Sequence, residues 1–226
     1  MAIFKKKKNQ SQEEDYWSSV SDLMSGLMMV FLFISIALMR EAMIEKDKIK
    51  DVAVSYQKNQ VALYDELHKE FEKDLEKWEA TLNKEDLTFS FVSPDTLFDH
   101  NQSKLKDDYK NVLKDFFPRY LSIVLKFKGS INEIRIEGHT SSKGGYFYNM
   151  QLSQDRTRAV LEYVYNLSDI SSEQEWMVKH VAAVGLSSSK LIYKEDKTED
   201  ENGSRRVSFR VITNSEIQMR KILEVQ

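Results

Sequence analysis

Asp22 is the only charged side chain between Asp15 and Arg40, in a stretch otherwise apolar or small. The run Val20 to Met39 is 20 residues long. At about 1.5 Å per residue, a helix of that length spans the roughly 30 Å hydrocarbon core of a bilayer. An ionised carboxylate inside a bilayer costs about 2.5 to 3.5 kcal/mol on insertion scales, so such groups face a protein interior or a water-filled path and usually serve transport. The blander alternative follows from position: near the helix start, a carboxylate complements the macrodipole and sits at headgroup level. In a helix Asp22 shares a face with Ser18, Ser25, Gly26 and Met29, a mostly small-residue strip on which partner helices can pack closely.

A second group of residues follows a predicted strand. Gly138-His139-Thr140-Ser141-Ser142-Lys143-Gly144-Gly145 reads as a loop, and Asn149 to Asn166 as the helix behind it. Gly144 and Gly145 permit positive φ and close backbone approach, while Asn149 and Ser153 are candidates to cap or open the helix. An anion at that helix start would meet unpaired amides. Arg156, two turns in, is placed to point back to the loop and grip a carboxylate in bidentate fashion. On residue chemistry alone, Arg156 reads rather as a helix charge in a surface ion pair, and His139 as a hydrogen-bonded loop histidine.

Composition narrows the classes. With 226 residues, a net charge of −3 and 31% charged residues, the chain has room for one span, a connector and one modest domain. It is too small to form a multi-helix channel alone. Cysteine is absent, and the four histidines (His68, His100, His139, His180) are scattered with no metal-ligand spacing or nucleophile constellation. The expected class is therefore non-enzymatic. Lys5, Lys6, Lys7 and Lys8 precede the span, whereas the far side opens with Arg40-Glu41, so the positive-inside rule puts the N-terminus in the cytoplasm. Everything after Met39 is then expected outside the inner membrane. The four lysines read as a topology signal rather than a nucleic-acid patch, and no direct nucleic-acid partner is expected. A cleaved signal peptide is disfavoured by the length of the apolar run and the lack of a small-residue cleavage site.

These groups need elements to position them. From Arg40 to about Leu82 the chain is dense in Lys, Glu and Asp without Gly or Pro, which predicts a helical linker. Leu63, Leu67, Phe71, Leu75, Trp78 and Leu82 recur at spacings of four or three, with Tyr56 seven before Leu63. That narrow stripe fits a parallel, coiled-coil-like homodimer, the simpler expectation, or a helix folded back on its own domain. Beyond it, strands are predicted at Leu87 to Val92 (ending at Ser93-Pro94), Ile131 to Glu137, Val178 to Val184 and Val207 to Ile212. A helix is predicted from Ser103 to Leu125, with Pro118 a candidate break, and another from Asn149 to Asn166 with Leu152, Ala159, Val160, Tyr163 and Val164 inward. The order βαβαββ predicts an α+β domain, one sheet with helices on one face.

The loop and helix resemble the OmpA-like peptidoglycan-binding domain, over roughly Leu87 to Thr213. Its pattern of GHTD, a glycine, a Tyr-Asn pair and LSxxRA stands here as Gly138-His139-Thr140-Ser141, Gly144, Tyr148-Asn149 and Leu152-Ser153-Gln154-Asp155-Arg156-Thr157. Ser204-Arg205-Arg206-Val207 looks like the family's late NRRV element. The resemblance implies peptidoglycan binding through Thr140, Ser141, Tyr148, Asn149, Leu152 and Arg156, with the diaminopimelate of a stem peptide as ligand. Ser141 stands where the family has an Asp, and a hydroxyl cannot pair with the ligand's ammonium, which puts affinity or ligand choice in question.

The N-terminal part resembles the flagellar stator B subunit. Tyr16-Trp17 and then Ser21-Asp22-Leu23-Met24-Ser25-Gly26-Leu27-Met28-Met29-Val30-Phe31-Leu32 match that family's W, ADF or ADL, and T-A-M-M-x-x-F segment. The resemblance implies a dimeric rod inside a pentameric ring of multi-span partner subunits, with Asp22 carrying the coupling ion. That ion is expected to be a proton, sodium not being excluded, and no other cofactor is expected. The short length and the GHTSS variant look more like the B component of the Zorya anti-phage defence system than like a flagellar subunit. A plug over about Arg40 to Val54 is implied by family analogy alone. The expected organisation is a cytoplasmic tail over 1–15, the transmembrane helix over 16–40, the linker over 41–82, the OmpA-like domain over 83–214 and a tail over 215–226. A non-conducting cell-wall tether is the competing class.

Overall fold

The computed structural model describes residues 2–92, 97–99 and 102–224. Ser93 and Pro94, expected to end a strand, lie outside the described residues, as do the side chains of Lys5 to Lys8. Helix α1 runs Ala2–Leu75. Contacts divide the chain into two compact units, Met1–Asp51 and Val52–Gln226.

The first unit is helical. Its apolar side chains stand exposed, from Leu23, Met28 and Phe33 to Leu38 and Met39, and the helix is long and apolar enough to cross a membrane. Apart from Asp22 and the small residues on its face, the span offers no polar side to water, which fits an apolar surrounding.

The second unit is a five-stranded mixed sheet with helices. Its strands are β1 (Ala80–Asn83), β2 (Thr88–Val92), β3 (Ile131–His139), β4 (Val181–Gly185) and β5 (Arg206–Thr213), in spatial order β1-β2-β5-β3-β4. Only β3 and β4 pair in parallel, as expected for strands joined through a helix. The helices are α2 (Asp107–Lys126), α3 (Tyr146–Tyr165), the short α4 (Gln174–His180) and α5 (Glu201–Ser204), and α6 (Asn214–Glu224). Strand alternation sends Phe89, Phe91, Ile134, Ile136, Val207, Phe209 and Val211 into the core. Several residues of the opposite parity are polar: the Ser90 and Ser208 hydroxyls meet at 2.8 Å, and Arg210 pairs with Glu216 at 2.9 Å.

Phe116 is the hub of the core, with ring centroids of Phe71, Phe89, Phe91 and Phe209 at 5.2, 4.6, 5.0 and 5.1 Å. Each such pair is worth about 0.5–1.5 kcal/mol beyond its area burial. This packing explains why α2 continues through Pro118. An internal proline costs about 3 kcal/mol, less than burying Phe116, Phe117, Tyr120 and Leu121 together returns.

The structure corrects several expectations. The stripe on the linker helix is not a dimer seam: Leu63, Leu67 and Phe71 are fully buried in the chain's own core, with Trp78 close behind and Leu75 and Leu82 packed against it. The foldback is clamped by Arg119, which pairs with Glu70 at 2.7 Å and Asp74 at 2.9 Å and lies 4.7 Å from the Phe71 ring. The compact domain thus takes in the helix from Val52, not from residue 83. Val178 to His180 finish helix α4 rather than start a strand, because Met177 is buried from a helical turn and Lys179 bonds Glu175 one turn back at 2.6 Å. Strand β1 went unpredicted, as ATLN is too short to show alternation. The expected tail 215–226 begins as helix α6, held by Glu216 to Arg210.

Candidate functional site

In the first unit, Asp22 lies on an unbroken helical stretch, so Ser18, Ser25, Gly26 and Met29 do share its face. Ser25 Oγ donates to the Ser21 carbonyl at 2.8 Å, hiding its hydroxyl against the backbone. A Cβ on Gly26 would meet nothing of the chain itself within 4 Å.

In the second unit, the site is built where β3 ends. Gly138 and His139 are still strand, and β3 delivers the loop onto the start of α3. The close approach is what Gly138 permits: a Cβ there would stand 2.6 Å from the Ser153 carbonyl oxygen and 2.8 Å from Thr157 Cγ2. The loop turns at Gly144, whose φ of +97° an L side chain rarely adopts. The Thr140 amide donates to the Ser187 carbonyl at 2.9 Å, tying the loop to the segment after β4.

Helix α3 opens three residues earlier than expected, with Gly145 as its N-cap and no side-chain cap. Asn149 and Ser153 therefore do not cap it. Instead the buried Asn149 Nδ2 donates to the carbonyls of Lys143 at 2.9 Å and Ser141 at 3.3 Å, and Ser153 Oγ donates to Met150 O and accepts from the Ser187 amide. Asn149 thus fastens the loop to the helix, and Ser153 fastens the segment after β4 to it.

Arg156 is buried, 8% exposed. Its Nε donates to the Gln102 carbonyl at 3.0 Å and its guanidinium lies 4.8 Å from the Phe98 ring. The surface ion pair is excluded among the described residues, where neither Arg156, Arg205 nor Arg206 has a carboxylate partner. All three line one small cleft with Leu97, Phe98 and Val207. Burial, then the neighbouring Arg205 charge, pull the Arg156 pKa below its ordinary value, with Tyr148 opposing. A guanidinium nevertheless stays protonated in proteins, so the cleft concentrates positive charge with unspent donors. Thr140, Ser141 and Asn149 come together in the loop, Tyr148 stands half exposed near Arg156, and Leu152 is half-buried on the same helix.

His139 is no exposed loop residue. It is buried, with Nε2 3.6 Å from the equally buried Glu137 carboxylate. Burial pushes its pKa down against the pull of Glu137. For Glu137, burial raises the pKa, but His139 and the more distant Arg210 and Lys190 outweigh it and hold the carboxyl below its ordinary value. Among the described residues, His139 Nδ1 and Thr140 Oγ1 are buried without a hydrogen-bond partner.

Glu199 was missed. Its carboxylate accepts from the Ser142 amide at 2.9 Å and, closer still, from the Ser142 hydroxyl. It sits in the acidic stretch before Ser204, which shows no periodicity and reads as plain loop. Gln102 and Phe98, the supports of Arg156, carry no local signal either.

The OmpA family model matches residues 97–205, which contain the loop, α3 and the arginine cleft. Among solved structures, a MotB like protein from Desulfovibrio vulgaris aligns with a TM-score of 0.47 at 21% identity, over 67% of this chain and 90% of that one. The Zorya protein ZorB of Escherichia coli O139:H28 is 27% identical over 92% of this chain and 84% of its own. The Zorya protein ZorB of Escherichia coli strain Crooks is 48% identical over 230 residues, covering 98% of each chain. At that identity over nearly the whole of both sequences, the chain belongs to the Zorya ZorB family.

Proposed function

We propose that the chain is the peptidoglycan-anchored rod subunit of a proton-driven, stator-like motor in the inner membrane, serving Zorya anti-phage defence, with binding and ion-carrying roles rather than catalysis. Two copies form the rod, a pentameric ring of multi-span partners surrounds it, and the second unit lies in the periplasm. The observation that carries the reading is Asp22: a single carboxylate on a membrane-length helix, sharing a face with Gly26, in a chain whose other unit presents an unneutralised arginine cleft.

Protonation neutralises Asp22 and lowers its desolvation cost, so proton binding and release bias which helix contacts form. The ring converts that bias into rotation against a rod held by the wall. In the cleft, Arg156 is pre-aimed by Gln102 and Phe98, and its free donors suit a stem-peptide carboxylate. Asp22→Asn in the complete complex tests the motor: proton flux and phage protection are expected to disappear while the complex still purifies with its ring. Wild-type protection in that variant would leave the chain a non-conducting wall tether.

A further inference from the structure

Ser187 holds a backbone conformation that its side chain does not favour. It is the first central residue of a turn closed by the Ser189 amide on the Leu186 carbonyl at 3.1 Å, and its φ is +52°. Positive φ at that position is the type II′ pattern, where glycine is the usual residue because it has no Cβ to clash. Four non-glycine residues carry positive φ among the described residues, and Ser187 is the one that touches both ends of the loop after β3. A strained residue persists only where its surroundings hold it, and such residues cluster where the backbone must be set for function.

Each of its three polar groups meets a different part of the site. The Ser187 carbonyl accepts from the Thr140 amide at 2.9 Å, at the entry of the loop. Its hydroxyl donates to the Tyr146 carbonyl at 3.1 Å, at the exit. Its amide donates to Ser153 Oγ at 3.1 Å, two turns along α3. Gly185, two residues earlier, lets the segment come this close, since a Cβ there would stand 2.7 Å from Ser153 Oγ. Ser187 is fully buried, so it reaches no ligand itself. Glycine would fit the φ and keep both backbone bonds, but it would leave Tyr146 without the hydroxyl. That hydroxyl is what a serine adds here. We infer that Ser187 is a positioning residue of the wall-binding site: its hydroxyl latches the start of α3 to the entry of the loop, so that Tyr148 and Asn149, in the same turn, stay fixed against Thr140 and Ser141. The inference rests on the wall-binding reading and adds to it a residue that acts out of reach of the ligand.

The test compares Ser187→Gly with Ser187→Ala in the detergent-solubilised full-length chain. Both lose the hydroxyl, but only S187A keeps the strain. S187G is therefore expected to melt within about 4 °C of wild type, and S187A lower. Both are expected to bind purified sacculi about tenfold more weakly in co-sedimentation at a temperature where each is folded, the size of one lost buried hydrogen bond. Amide exchange over residues 142–148 is expected to rise by about tenfold in both. A residue that only supports the fold would make binding follow stability, with S187G binding like wild type. Sacculus binding by S187G within about twofold of wild type, or unchanged loop exchange in it, overturns the inference. Loop exchange in S187A, read below its melting temperature, decides the matter in the same way should the glycine variant not fold. If wild type itself does not sediment with sacculi, the wall-binding reading fails, and the loop exchange still tests the latch.

Discussion

Asn149 Nδ2 reaches from the first turn of α3 to the carbonyls of both Ser141 and Lys143, so one buried amide fixes the loop at two points. Because Asn149 is 3% exposed, water cannot replace it without reorganising the helix start. Asn149→Ala is expected to destabilise the domain by about 1–3 kcal/mol, the range for a buried polar group left unsatisfied. Sacculus pull-down should weaken further than the stability loss explains, since the loop loses its shape. Unchanged binding at a temperature where the variant is fully folded would show that the loop is shaped by its glycines alone.

Leu67 is fully buried against the domain on the same helix as Glu70 and Asp74, which Arg119 of α2 clamps. Leu67→Ala is expected to cost about 2–5 kcal/mol in chemical denaturation, the span measured for buried leucines. Leu67→Cys should give no disulfide-linked dimer under oxidation in membranes, because the residue faces its own core. A strong crosslink there would mean that the helix leaves the domain and pairs with a second copy.

How much was legible in the sequence depended on how local the signal was. The apolar span, the strand of β5 and the Gly138 to Arg156 motif announce themselves through composition, alternation and spacing within short windows. The stripe Leu63 to Leu82 was visible, but periodicity states only that a face is buried, not which surface covers it. That choice was made by Phe116, Phe89 and Phe209, far along the chain. The Val178 to Val184 run failed similarly: a short apolar stretch looks alike in helix and strand, and the boundary at His180 was set by Met177 packing. In the site, Arg156 was legible from its motif, whereas Gln102 and Phe98 reach it only through tertiary folding. Ser142 gave no hint that it would collect a carboxylate.

Gly185 and Gly138 lie opposite each other in the β3–β4 ladder, and both face the middle of α3 around Ser153. A Cβ on Gly185 would collide with Gln154 Cγ and stand 2.6 Å from the Gln154 backbone nitrogen, contacts that the helix can relieve only by lifting off the sheet. Gly185→Ala is expected to destabilise the domain by about 1–3 kcal/mol through overpacking. Amide exchange of α3 should accelerate ahead of α2, since the displaced surface is the α3 side of the sheet. Equal acceleration in both helices would instead point to global loosening.

His139 makes the domain sensitive to acid. Burial keeps its folded pKa below the ordinary 6.5, so the unfolded chain takes up the proton first as pH falls. Stability from this group is therefore complete well above 6.5 and drains away as pH drops from there toward the folded pKa. Glu137 adds the same sign at lower pH: its folded pKa lies below the ordinary 4.5, so its contribution is present above 4.5 and is lost only as pH falls through the folded value. Two successive losses are thus expected in thermal melts of the full-length protein, one beginning near pH 6.5 and a second below 4.5. His139→Gln cannot take up the first proton and should flatten the upper step; because His139 is the chief group holding the Glu137 pKa down, the lower step should weaken as well. If the variant keeps the upper step, the acid sensitivity belongs to another group and the buried pair beneath the loop is silent in that range.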